Sequence, residues 1–108
     1  MANDFKNAQA VGVTSVTTIY TAPAAKTSIL LELDIANTAN NVVEASVEIF
    51  DTSASTDAFL VKNAPVPAGG TLQVVAGQKI ILEATDIVKV SATAAVDVVA
   101  AILEDVNS

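Results

Sequence analysis

The sequence predicts an all-β domain: an antiparallel β-sandwich, jelly-roll or immunoglobulin-like, with about seven to eight strands. Three observations predict it. Val, Ile and Thr together number 35 of the 108 residues, and β-branched side chains suit a pleated surface. Apolar residues alternate with period two in several segments. Turn signals recur between those segments at short spacing.

The elements follow in order. "AVGVTSVTTIYT" (10–21) reads as one long strand or two short ones, broken near Gly12 or bulged at Thr14–Ser15. "TAPAAKT" is the loop after it. "TSILLELDIAN" sets Ile29, Leu31, Leu33 and Ile35 against Leu30, Glu32 and Asp34, one dry face and one wetter face. "ANTANN" (36–41) is a turn, because Asn tolerates positive φ and bonds its own backbone. "NVVEASVEIFD" sets Val43, Ala45, Val47 and Ile49 against Glu44, Ser46, Glu48 and Phe50. "DTSASTD" (51–57) is a small-polar loop, "AFLVKN" a short strand, and "PVPAGG" a turn. "TLQVV", Ala76–Gly77 and "QKIILEA" read as a hairpin. Thr85–Asp86 turns into "IVKVSA", and "TAA" turns into "VDVVAAILED". That last segment also spaces Val98, Val99, Ile102, Leu103 and Val106 as a helix would. The alternation of Val96, Val98, Ala100 and Ile102, with three valines lowering helix propensity, favours a strand. Residues 1–10 read as a polar N-terminal arm and residues 11–108 as a single sandwich domain.

Composition narrows the function. Apolar residues make up 52% before the four glycines are counted, above the roughly 45–50% typical with glycine included. Only Phe5, Tyr20, Phe50 and Phe59 are aromatic, so the excess is aliphatic, and a domain this small is expected to turn part of it toward a partner subunit. The net charge is −7, Arg is absent, and the five lysines stand singly at 6, 26, 62, 79 and 89. Nucleic acids and anionic membranes call for clustered cations, so neither is an expected partner. The start "MANDFKNAQAVG" lacks the apolar segment of a secretion signal, and no apolar run is long enough to span a bilayer.

Chemistry is thin. There is no His and no Cys, which removes the commonest general base, thiolate nucleophiles and the usual zinc ligands. "PAGGT" precedes a strand rather than a helix and has no following Lys, unlike a phosphate loop. Glu32 with Asp34, and Glu44 with Glu48, share strand faces; they could offer oxygens to Ca²⁺ or form the solvated face of a sheet, and no Asp-x-Asp-x-Asp loop favours the former. The expectation is a protein with no enzymatic activity, no cofactor and no metal.

What remains is contact with other proteins. The arm contributes Phe5 and Lys6. Phe50 lies on the Glu44/Glu48 face, where a large aromatic wants a partner. Phe59 and Leu60 are neighbours on a strand, so one of them faces outward. Pro65 and Pro67 withhold amide donors, and Gly69–Gly70 permit a tight reversal. That segment shapes a corner between strands, and any contact it makes is protein on protein.

The succession "IYTAPAAKTSILLELDIANTANNVVEASVEI", "FLVKNAPVPAGGTLQVVAGQKIILEATDIVKVSA" and "VDVVAAILE" resembles small β-sandwich structural proteins of tailed bacteriophages, the capsid decoration or cement-like group. The pattern is carried by Tyr20–Pro23, Ile29–Asn37, Val66–Leu72, Gly77–Asp86 and Val98–Glu104, and the resemblance covers residues 19–104. Ala84–Thr85–Asp86 departs from the Ala-Gly-Asp common at that turn. The resemblance implies a virion structural protein, assembled in the host cytoplasm. It would be a head decoration protein that binds the major capsid protein or other virion proteins and acts as a homo-oligomer. A tail, neck or baseplate adaptor or a fibre component is the alternative within that class; a carbohydrate- or cation-binding module is the alternative outside it.

Overall fold

The computed structural model describes residues 4–105. Eight strands form, with no helix among the described residues: β1 (Asp4–Val13), β2 (Thr17–Thr21), β3 (Ser28–Asn37), β4 (Val43–Asp51), β5 (Thr56–Val66), β6 (Thr71–Leu82), β7 (Ile87–Ala92) and β8 (Val96–Glu104). They build two four-stranded antiparallel sheets, a first of order β1-β8-β3-β6 and a second of order β2-β7-β4-β5. Only β4 and β5 are joined as a hairpin within one sheet; every other connection crosses to the opposite sheet. This strand order is that of a jelly roll, which decides between the two sandwich types expected.

The core lies between the sheets. Leu33, Ile35, Val98, Ala100 and Ile102 from the first sheet meet Val43, Val47, Val88 and Val90 from the second, all essentially without solvent exposure. Each buried Val, Leu or Ile among them contributes about 1.5–3 kcal/mol. The β4 and β8 alternation places Val43, Ala45 and Val47, and Val96, Val98, Ala100 and Ile102, in the interior as expected. The C-terminal segment is a strand because it fills the gap between β1 and β3 and bonds to both.

Elsewhere bulges override simple alternation. In β3, Leu30 is opposite Ile102 but Glu32 is opposite Ala101, so Leu31 is the extra residue. One inserted residue reverses the facing of everything before it. Leu30 is therefore buried with Leu33 and Ile35, while Ile29 and Leu31 are only half-buried. The hairpin expected over 71–84 is instead one long strand, β6. Leu30 pairs with Ile80 and Glu32 with Ala76, leaving residues 77–79 looped out. Gly77 takes φ 113° there. Gln78 closes the gap with its own amide: its Oε1 accepts from the Ala76 N–H at 2.9 Å, and its Nε2 donates to the Val74 carbonyl at 2.8 Å.

Two more boundaries move. β5 runs on through Pro65 to Val66, so the turn is only 67–70, closed by the Gly70 N–H donating to the Pro67 carbonyl. Pro65 is tolerated because β5 is an edge strand. Residues 4–10, expected as an arm outside the sandwich, lie in β1 and pair in unbroken register with β8; residues 1–3 lie outside the described residues. Of the two expected alternatives, a break near Gly12 or a bulge at Thr14–Ser15, the positions are exchanged: the bulge is at Val11–Gly12 inside β1 and the break is at residues 14–16, between β1 and β2.

Candidate functional site

Polar chemistry concentrates at the end of the sandwich carrying the β2–β3, β4–β5 and β6–β7 connections. A cleft of about 470 Å³ opens there, lined by Ile49, Ala58 and Ile81 together with Asp51, Glu83 and Asp86. The three carboxylates present oxygens within 4.8 Å of one another. Two of them are already occupied by the chain itself. Buried Asp86 accepts from the Thr52 amide at 3.1 Å and the Glu83 amide at 3.0 Å, tying two connections together. Asp51 accepts from Ser53 and Ala54, and these bonds hold its carboxyl below the usual range, the Ser53 hydroxyl contributing most. The arrangement is that of an Asx-type turn and a strut between loops.

At the same end a side-chain network joins the sheets. The Tyr20 hydroxyl donates to Glu104 Oε2 and lies 3.1 Å from Ser28 Oγ. Lys6 Nζ sits 3.0 Å from Glu104 Oε1. Burial, then the bond to Glu104, pushes Tyr20 up to about 12. The Tyr20 bond, and then Lys6, hold Glu104 below its ordinary value. The Glu104 carboxylate thus fastens β8 to β1 and to β2, and the Tyr20 hydroxyl extends the network to Ser28 of β3.

On the outer face of the first sheet, Asp34 stands beside Glu32 with one oxygen, Oδ1, buried and without a hydrogen-bond partner. Burial, with a hydrogen bond and repulsion from Glu32, raises it to about 6. A second cleft of about 360 Å³ at the opposite end is lined by hydroxyls, among them Ser15, Ser46, Ser91 and Thr93. Ser46 Oγ accepts from the Asn63 amide and Thr93 Oγ1 from the Glu44 amide, so both hydroxyls serve the fold.

The expected interface residues fall in three places. Phe50 and Phe59 share the outer face of the second sheet, where each has a lysine of its own chain above it: Lys89 Nζ is 4.9 Å from the Phe50 centroid and Lys62 Nζ 5.2 Å from that of Phe59. Lys89 also reaches Asp57 at 3.6 Å. Leu60 is the bulged residue between the Val47–Val61 and Glu48–Phe59 pairs, and it packs against the core. Pro65 lies at the far end of β5 and Pro67 opens the turn that follows it. Phe5 belongs to the other sheet and is 77% exposed. Lys6 is tied to Glu104 and keeps about half of its side chain, 53%, exposed.

A row of apolar side chains runs across the first sheet's outer face: Phe5, Leu103, Ile29 and Ile81 are in register from β1 through β8 and β3 to β6. Alternation hid this row, because the Leu31 bulge makes Ile29 look like a core residue. The Leu30–Leu31 doublet was the available signal. No helix among the described residues is long and apolar enough to cross a membrane. Compared with protein-family models, curated proteins and solved structures, the chain matches none.

Proposed function

We propose that this chain is a structural protein of a tailed-bacteriophage virion, a head decoration protein that binds the shell through protein–protein contacts and acts as a homo-oligomer. The observation that carries this reading is the outside of the sandwich. An apolar row crosses one sheet face, while the buried and turn carboxylates Asp86, Asp51 and Glu104 are taken up by the fold. A surface of that kind adheres, and many copies on one shell add avidity to weak single contacts.

The turn chemistry supports the same reading. Thr85, the residue that departs from the glycine of the phage pattern, takes φ 67°, a conformation in which glycine is the favoured residue. Quantitative mass spectrometry of purified particles tests the proposal. A decoration protein is present in hundreds of copies per particle, a tail or baseplate adaptor only in the number that closes one ring. Absence from particles would exclude both.

The reading from another class, a cation- or carbohydrate-binding module, has the Asp51–Glu83–Asp86 cleft in its favour. Its test is the thermal midpoint with Ca²⁺ or glycans added, where binding raises the midpoint by mass action.

A further inference from the structure

Exposed sheet edges invite pairing, and folded proteins blunt them with prolines, bulges and shortness. Three of the four edges here are blunted in those ways. β2 has five residues and a register shift at Ile19. β5 contains Pro65, an extra residue at Leu60 and another bulge at residues 62–63, with Asn63 at φ 54°. β6 bulges at Val74 and again over residues 77–79. β1 differs: Asp4 to Ala10, seven residues, pairs with β8 without a shift and contains no proline, and its one bulge is confined to the end of the strand at Val11–Gly12, where Gly12 takes φ 69°.

The two most exposed large apolar side chains among the described residues both lie on β1, Val11 at 81% and Phe5 at 77%. Both point to the outer face, since Phe5 is in register with Leu103 and Val11 follows inward-facing Ala10. Residues 4–12 carry one Asp and one Lys, a neutral stretch on a chain of net charge −7. A second copy meets least repulsion there.

We infer that β1 pairs antiparallel with β1 of a second copy about a two-fold axis through Ala8. In that register Phe5 of each copy lies opposite Val11 of the other, so the two bare side chains cover each other, twice. Asn7 lies opposite Gln9 and Lys6 opposite Ala10, the pairing ends where Gly12 bulges, and no like charges meet. The occupant is a second copy because a β1 edge is the one partner edge, among the described residues, that itself offers seven residues in unbroken register, Asp4 to Ala10. Pairing the two edges closes the contact and leaves neither free. The two sheets become one of eight strands whose outer apolar rows lie on the same side. This surface rests on the reading that the chain works by protein contact, yet it is tested on the isolated chain, whereas that reading is tested on particles.

The test is the native mass of the full chain by sedimentation across a concentration series, for the wild type and for Phe5→Lys with Val11→Lys. The wild type is expected to dimerise, and the double variant to dimerise at least tenfold more weakly with an unchanged melting curve. The chain has no cysteine, so Ala8→Cys gives a register-specific second readout that holds even if the lysine variant unfolds. Ala8→Cys should cross-link to itself under mild oxidation, and Gln73→Cys, on the β6 edge, should not. A wild type that stays monomeric at every concentration, a dimer that persists in the lysine variant, or cross-linking through Gln73→Cys but not Ala8→Cys would overturn the inference. A monomeric wild type found in hundreds of copies on particles would remove this interface and leave the proposed function standing.

Discussion

The outer faces of the two sheets treat their aromatic side chains differently. On the second sheet, Phe50 lies under Lys89 from the neighbouring strand β7 and Phe59 under Lys62 of its own strand, and Lys89 is held in turn by Asp57. On the first sheet, Phe5 is 77% exposed at the edge of an apolar row that includes Leu103 and Ile29. A cation over a ring is worth about 0.5–1 kcal/mol at an exposed site and keeps the ring wet-compatible. The second sheet's aromatics therefore have a charged cover from their own chain, and the first sheet's apolar row has no cation over its ring among the described residues. Exposure alone does not distinguish them, since both faces display aromatics. What distinguishes them is whether the chain supplies its own cover.

Four predictions break or sharpen that contrast, beginning with the largest effect. Deleting residues 1–10 removes most of β1 and uncovers the flank of β8, so it should cost about 3 kcal/mol or more, comparable to emptying one core leucine site. Thermal unfolding checks this. A truncated chain melting within a degree of the full one would make the adhesive edge a detachable arm rather than part of the sheet.

Tyr20→Phe removes the donor to Glu104 and should cost about 1–2 kcal/mol at neutral pH. Glu104 is held below its ordinary value of 4.5. Its stabilisation is thus present above that value and lost as pH falls through the depressed one. Denaturant melts from pH 7 to pH 3 should show the gap between wild type and variant narrowing on the acid side.

Asp34→Asn acts with the opposite sign. Asp34 is raised from 3.8 to about 6, so the folded state holds its proton more tightly than the unfolded chain. Ionising it costs stability above pH 6, and the cost disappears as pH falls toward 3.8. The variant should gain about 1 kcal/mol at pH 7.5, once solvent screening is allowed for, and nothing at pH 3.5. An equal gain at both values would assign the effect to packing rather than charge.

The smallest effect belongs to a turn. Thr85 holds φ 67°, unfavourable for a β-branched residue by about 1 kcal/mol or somewhat more. Thr85→Gly gives part of that back as unfolded-state entropy. A net rise of about 0.5 kcal/mol in the unfolding free energy is expected, and a fall would mean that the Thr85 side chain contributes more than its backbone costs.

How far these features could be read from residues alone follows from the bulges. Period-two counting succeeds in β4 and β8, where the interior residues keep one parity from end to end. It fails at Leu31 and Gly77, because a doublet or a glycine marks an irregularity without saying which residue is extra, and that is fixed only by the partner strand. Gly77 looks like a reversal, and it takes the Gln78 amide, bonded back to Ala76 and Val74, to keep the strand going. The surface was legible to the same degree. Phe5, Phe50 and Phe59 stand out as aromatics in a chain with few, but that lysines cover two of them depends on a cross-strand neighbour for Phe50 and, for Phe59, on the Leu60 bulge that turns Lys62 to the same face, neither of which period-two counting reveals.

The central claim is that this jelly roll adheres to a virion rather than turning over a substrate. Cosedimentation of the purified full chain with capsid shells and, separately, with tails of its phage tests it most directly. The account predicts that the chain pellets with shells and saturates at hundreds of copies per shell. A chain left in the supernatant with shells and tails alike would contradict it.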